Sequence, residues 1–231
     1  MSSTVRPRQL PLRFGHESRR SRDDLVVTEA NRAAVAVVDE WPAWPSPVVV
    51  LAGPAGSGKS HLLSVWSEAA GATRLAPDRL DQARGLSGPV AVDDIDAAPL
   101  DQQGLFHLVN EVRAAGTGLL LTARRFPAAW GATLPDLASR LRAATTVEIG
   151  EPDDELLAGV IAKLFADRQV DVEPHVIGFL VRRIERSLAT AIAVVDRLDR
   201  AALEHKTRIS RALAASVVTA MDAGQGALDL E

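Results

Sequence analysis

Eight consecutive residues constrain this chain more than any other feature: Gly53-Pro54-Ala55-Gly56-Ser57-Gly58-Lys59-Ser60, a match to the pattern GxxxxGK[ST]. Their setting sharpens the match. Upstream, 47–52 reads PVVVLA, a continuous β-branched run of the kind that forms a strand buried on both faces of a parallel sheet. Downstream, 59–70 has helical composition. A glycine-rich turn between such a strand and helix lets successive backbone N–H groups curl toward an anion. The helix start adds the positive end of its dipole, and Lys59 adds a full charge. Gly53, Pro54, Ala55, Gly56, Ser57, Gly58, Lys59, Ser60 and the following His61 are therefore the candidate nucleotide contacts, with the Ser60 hydroxyl suited to Mg²⁺.

Strand and helix patterns alternate around this loop. A helix is expected over 29–41 with Thr28 as its N-cap, stopped by the prolines of WPAWPSP. Further strands are expected at 73–75, 89–92, 117–122 and 145–149, with helices at 101–115 and 135–143. This order predicts an α/β fold with a doubly wound parallel sheet. Beyond Glu151-Pro152 the strands cease, and 153–169, 173–183, 187–204 and 210–221 each carry apolar residues at helical spacing, with Pro174 in a first turn and Ser187 and Ser210 as N-caps. The expected organisation is an arm at 1–22, an α/β nucleotide-binding subdomain at 23–150 and a small all-helical lid at 151–231.

Charge divides along the same lines. Residues 1–22 hold six arginines against Glu17, a net of +5, so the net charge of −4 leaves −4 − 5 = −9 for the remainder. An acidic body repels nucleic-acid phosphates, which argues against a broad DNA-binding face on the folded part. The arm shows no period of 2 or 3.6 and is expected to be flexible. The chain has no cysteine, hence no disulfide or thiolate metal site, and the five histidines show no metal spacing. With no secretory leader pattern and no long apolar run, a cytoplasmic protein without a membrane span is the expectation. Trp41 and Trp44 are expected to be packing anchors.

A second chemical signal is Val90-Ala91-Val92-Asp93-Asp94, where two carboxylates end a strand. Beside a phosphate loop, Asp93 suits the magnesium shell opposite Ser60, and Asp94 suits the orientation of a water.

The helix with Asn31, the phosphate loop, the Asp-Asp strand, the Leu121-Thr122 strand end, the run Leu134-Pro-Asp-Leu-Ala-Ser-Arg140-Leu141 and the helical lid together resemble the AAA+ module of the bacterial initiator DnaA, over about 23–218. Two further features resemble the Hda family of DnaA-related regulators. The sequence ends where DnaA would begin its DNA-binding domain, and the arm carries Gln9-Leu10-Pro11-Leu12-Arg13-Phe14, which is similar to a sliding-clamp-binding peptide. In such a peptide, Gln9 supplies hydrogen bonds, and Leu10, Leu12 and Phe14, with Pro11 between them, supply apolar contacts for a groove.

The resemblance implies bound ADP or ATP with Mg²⁺, adenine neighbours at Asp23, Leu25, Val26 and Asn31, a polar sensor at Thr122, and an arginine finger at Arg140 directed at a neighbouring subunit's nucleotide. The implied partners are DnaA and the β sliding clamp of DNA polymerase III, with DNA reached only through the clamp, and self-association in addition. The departures are Thr122-Ala123-Arg124, where an acidic residue is expected after the threonine, and Ala189, where a lid arginine is expected, with Arg186 three residues earlier. Groups that hold nucleotide are kept while groups that assist turnover are thinned, so a resident ADP suits the site, and the expected activity is regulation of DnaA hydrolysis and repression of re-initiation, with little ATPase of the chain's own. The alternative is a stand-alone DNA-stimulated ATPase resembling helicase loaders.

Overall fold

Five strands form one sheet in the order β2-β3-β4-β1-β5, with every neighbouring pair parallel. They are β1 (Val48–Ala52), β2 (Thr73–Leu75), β3 (Val90–Val92), β4 (Leu119–Ala123) and β5 (Thr145–Glu148). The computed structural model describes residues 22, 25–83 and 85–226. The clamp-peptide positions Gln9, Leu10, Pro11, Leu12 and Phe14, and also Asp23, lie outside the described residues.

The central strands β1, β3 and β4 are buried at every position, as a β-branched and leucine-rich run without polar alternation requires. The strand period of two then sorts them into two cores. Val48, Val50, Val90, Val92, Leu119 and Leu121 pack with Leu105, Leu108 and Val112 of α3 (Gln102–Ala115) and with Leu137 and Leu141 of α4 (Pro135–Arg142). On the other face, Val49, Leu51, Ala91 and Leu120 pack with Ala34, Val35 and Val38 of α1 (Arg32–Asp39) and Leu62, Leu63 and Trp66 of α2 (Lys59–Ala70). Trp41 and Trp44 close this second core against Trp66, with ring centroids 5.4 and 5.1 Å away, in keeping with their expected packing role.

The helices α5 (Asp154–Asp167), α6 (Pro174–Val181), α7 (Leu188–His205) and α8 (Arg211–Gly226) build a third core from Leu157, Ile161, Phe165, Leu180, Val194, Leu198 and Val218. Their starts have the expected local chemistry. Ser187 Oγ accepts from Thr190 N, Ser210 Oγ accepts from Leu213 N, and Pro174 occupies the first turn of α6.

The first helix departs from expectation. It begins at Arg32, not at Glu29, and Thr28 does not cap it. Instead, Thr28 O accepts from the N–H groups of Asn31 and Arg32, which makes residues 28–31 a turn. Asn31 stands at the N-cap position but points backward: its Oδ1 accepts from Thr28 N at 2.9 Å and its Nδ2 donates to Val26 O at 2.9 Å. An asparagine that folds the preceding loop onto itself is not available to the helix. Just upstream, Arg22 makes a two-pronged ion pair with Asp39 of α1 at 2.6 Å, and that guanidinium holds the Asp39 carboxyl below the usual carboxylate range. The last residue of the expected arm is thus fastened to the body.

Candidate phosphate-binding site

At the leaving edge of β1 the backbone turns through residues 53–58 before α2 begins at Lys59. Gly56 and Gly58 make the turn by taking φ of +73° and +98°, a region that side chains disfavour. Lys59 is buried, and its Nζ donates to Gly53 O at 2.8 Å and Pro54 O at 2.7 Å, so the charge is held inside the curl of the loop. Burial pushes the Lys59 ammonium below the ordinary lysine value and Arg124 adds to this, while the charges of Asp94, Asp93 and Asp96 oppose it.

Parallel pairing brings the other candidate residues to the same edge. Ser60 Oγ donates to Asp93 Oδ1 at 3.0 Å, which joins the two groups expected around magnesium. Thr122, wholly buried at the end of β4, donates to the same Asp93 oxygen and accepts from Asp94 N at 2.8 Å. One hydroxyl therefore holds the Asp93 carboxylate and the Asp94 backbone, and Asp94 adopts φ of +49°. His61 lies in the first turn of α2, its N–H donating to Gly58 O, and its side chain is half-buried.

These residues fit a polyphosphate with its metal. The loop offers a lysine and curled amides, and the buried Ser57 hydroxyl has no hydrogen-bond partner among the described residues. A hydroxyl beside a carboxylate is an all-oxygen donor pair suited to Mg²⁺.

The lid meets the loop directly. Leu188 N, at the start of α7, donates to Gly56 O at 2.8 Å, and a Cβ on Gly56 would lie 2.1 Å from Ser187 Oγ. Leu25 packs on the core containing α1 and α2, and Val26 lies so close to α5 that a Cβ on Gly159 would stand 2.8 Å from it. Leu25, Val26 and Asn31 thus form one braced segment between body and lid. Arg186 does not take the place of Ala189: it pairs with Asp154 at 2.7 Å and donates to Pro152 O at 3.3 Å, at the start of the lid.

Asp96 is a participant that sequence inspection missed. Its carboxylate, 2% exposed, accepts from Arg124 N at 2.8 Å and Arg125 N at 3.1 Å and pairs with the Arg125 guanidinium at 3.3 Å. The only available signal was a third acid just after Asp93-Asp94, facing an Arg-Arg pair elsewhere in the chain.

Arg140 is remote from all of this. It lies in the last turn of α4, which leads through Ala143 and Ala144 into Thr145, the residue that pairs with Val49 near the entering end of β1. The phosphate loop leaves the other end, about 13 Å along the strand by its rise per residue. The Arg140 guanidinium sits over the Phe106 ring at 5.4 Å, and among the described residues no carboxylate lies within ion-pair distance.

Residues 158–214 match the family model described as "Hda, lid domain". The whole fold is similar to domain III of the replication initiation protein DnaA from Thermotoga maritima, with TM-score 0.76 and 16% identity over 87% of this chain and 95% of that one. The chain thus has an AAA+ fold like that of DnaA domain III, and its lid region is similar to that of Hda. Similarity extends to DnaA bound to AMPPCP and single-stranded DNA (TM-score 0.65, 20% identity, 80% of this chain and 66% of that one). It extends also to the Thermotoga maritima RuvB Holliday junction branch migration motor (TM-score 0.67, 15% identity, 87% of this chain and 72% of that one). At these identities the solved structures establish the AAA+ fold, and the lid match supplies the Hda-like character. No helix among the described residues is long and apolar enough to cross a membrane.

Proposed function

We propose that this AAA+ protein binds ADP or ATP with Mg²⁺ as a lasting part of its structure, attaches to the DNA-loaded sliding clamp, and stimulates ATP hydrolysis by DnaA, so that re-initiation of replication is repressed. In its own site, Lys59 and the loop amides hold the phosphates, Ser60 and Asp93 hold the metal, and the segment of Leu25, Val26 and Asn31 borders the adenine. The bound nucleotide and metal supply a charged wedge between body and lid. Thr122 and Asp94 position groups around it, but Ala189 offers no cation and Arg186 is engaged with Asp154, so turnover in this site is slow.

The observation that carries the reading is Arg140. It stands at the sheet edge opposite its own phosphate loop and without a carboxylate partner among the described residues, so the nucleotide it can serve belongs to another molecule. A guanidinium delivered to a transferring phosphate stabilises the charge that develops there. The peptide at Gln9, Leu10, Pro11, Leu12 and Phe14 supplies the clamp address. Mixing the protein with ATP-bound DnaA, loaded clamp and DNA is expected to release phosphate. An undiminished rate with Arg140→Ala defeats the finger role, and clamp pull-down unchanged by a Gln9 and Leu10 double alanine defeats the address. DNA-stimulated ATP turnover by the chain alone, lost in Lys59→Ala, favours the loader-like alternative.

A further inference from the structure

Arg124 is a cation at the β4 end that abuts the phosphate loop, without a role there so far. Its place is set by backbone bonds on both sides. Ala123 O accepts from Gly53 N at 3.1 Å, so β4 ends against the first residue of the phosphate loop. Arg124 N is held by Asp96 Oδ1 at 2.8 Å, and Thr122, two residues earlier, holds Asp93 and Asp94. The Arg124 side chain is exposed, and among the described residues no carboxylate lies within ion-pair distance of it, whereas the adjacent Arg125 is engaged with Asp96.

Two cations thus stand near one phosphate loop, and the charge of Arg124 acts on Lys59. After burial, Arg124 is the group that pushes the Lys59 ammonium below its ordinary value. Like charges gathered on a rim of N–H donors are unfavourable on their own and become favourable around a polyanion.

We propose that Arg124 binds the terminal phosphate of a nucleoside triphosphate in this chain's own site. The proposal rests on the reading of 53–60 as a phosphate loop. The terminal phosphate is the assigned contact because Arg124 neighbours the groups that address the β- and γ-phosphates and their metal, namely Lys59 and the Ser60–Asp93 pair. The segment bordering the adenine lies instead against α5. A guanidinium here supplies the second cation that Ala189 of the lid does not. It makes the site discriminate between triphosphate and diphosphate by charge.

The test is equilibrium binding of fluorescently labelled ADP and of a non-hydrolysable ATP analogue, each with Mg²⁺, to the full chain and to Arg124→Ala, Arg124→Lys and Lys59→Ala. Thermal unfolding without nucleotide reports on folding of each variant. Arg124→Ala is expected to weaken the triphosphate analogue about tenfold or more and ADP less than about threefold, with partial recovery in Arg124→Lys. If wild type binds and Lys59→Ala does not, but Arg124→Ala leaves both ligands unchanged or weakens both equally, the Arg124 assignment is wrong and the phosphate loop stands. If wild type binds neither nucleotide, or Lys59→Ala binds as well as wild type, the loop reading itself is wrong.

Discussion

At the leaving edge of the sheet, Ser60 and Thr122 both donate to Asp93, Lys59 is held by two carbonyls, and Asp96 holds Arg124 N and Arg125. At the entering edge, the Arg140 guanidinium rests on the Phe106 ring and has no ion pair among the described residues. The first arrangement is preorganised by its own chain and suits a ligand that stays. The second leaves a full charge for which the described residues offer no ion pair, and it suits a surface completed by another molecule. The same contrast separates holding a nucleotide from hydrolysing one.

The sharpest way to break this comparison is Arg140→Ala. Stimulated hydrolysis in the reconstituted DnaA reaction is expected to fall by about 10³-fold or more, while nucleotide affinity and thermal midpoint stay near wild type. A fall in the protein's own nucleotide affinity would show that the two edges are not independent.

Next in size is Lys59→Ala, expected to weaken ADP binding roughly 100-fold in calorimetric titration. Since the Lys59 ammonium donates its hydrogen bonds to carbonyls of its own loop, the variant should still fold.

Gly56→Ala probes the contact between loop and lid. It forces a side chain into φ of +73° with a Cβ 2.1 Å from Ser187 Oγ, so a destabilisation of about 2 kcal/mol or more is expected in urea unfolding. Retention of full stability would mean that the lid start and the loop are free to part.

The smallest expected effect is at Asp153, which caps α5 by accepting from Leu156 N at 2.6 Å. Asp153→Ala should cost about 1 kcal/mol. Burial alone would raise the Asp153 carboxyl, but the Leu156 amide, the Thr28 hydroxyl, the Ala30 amide and the charge of Arg186 outweigh it and hold the carboxyl below its ordinary value. The stability it contributes is therefore complete above the ordinary carboxylate range and is lost as pH falls through the lowered folded value. Asp153→Asn should keep most of the cap at neutral pH and lose that acid dependence, as urea midpoints measured between neutral and acid pH will show.

How much of this could be read from the sequence depended on range. The strands at Val48–Ala52 and Val90–Val92 are visible because a strand buried on both faces leaves an uninterrupted apolar run, and the loop at 53–60 is visible because its chemistry is contiguous. The caps at Ser187 and Ser210 are local as well. Thr28 was misassigned because two polar residues compete for one helix start, and only the folded chain shows that Asn31 turns back to Val26. Asp96 was missed because its partners, Arg124 and Arg125, lie on another strand end. The isolation of Arg140 from its own phosphate loop follows from the parallel register of β5 against β1, which spacing along the chain does not encode.

The hydrogen bond from Leu188 to the Gly56 carbonyl makes the lid a reader of the loop. Whatever tightens the curl of the loop changes how firmly α7 is seated, and linkage requires the converse in equal measure: a partner that grips the lid must alter nucleotide retention by the same factor. Any partner that docks across the lid would thereby change the equilibrium affinity of the loop for its ligand, with no contact to that ligand.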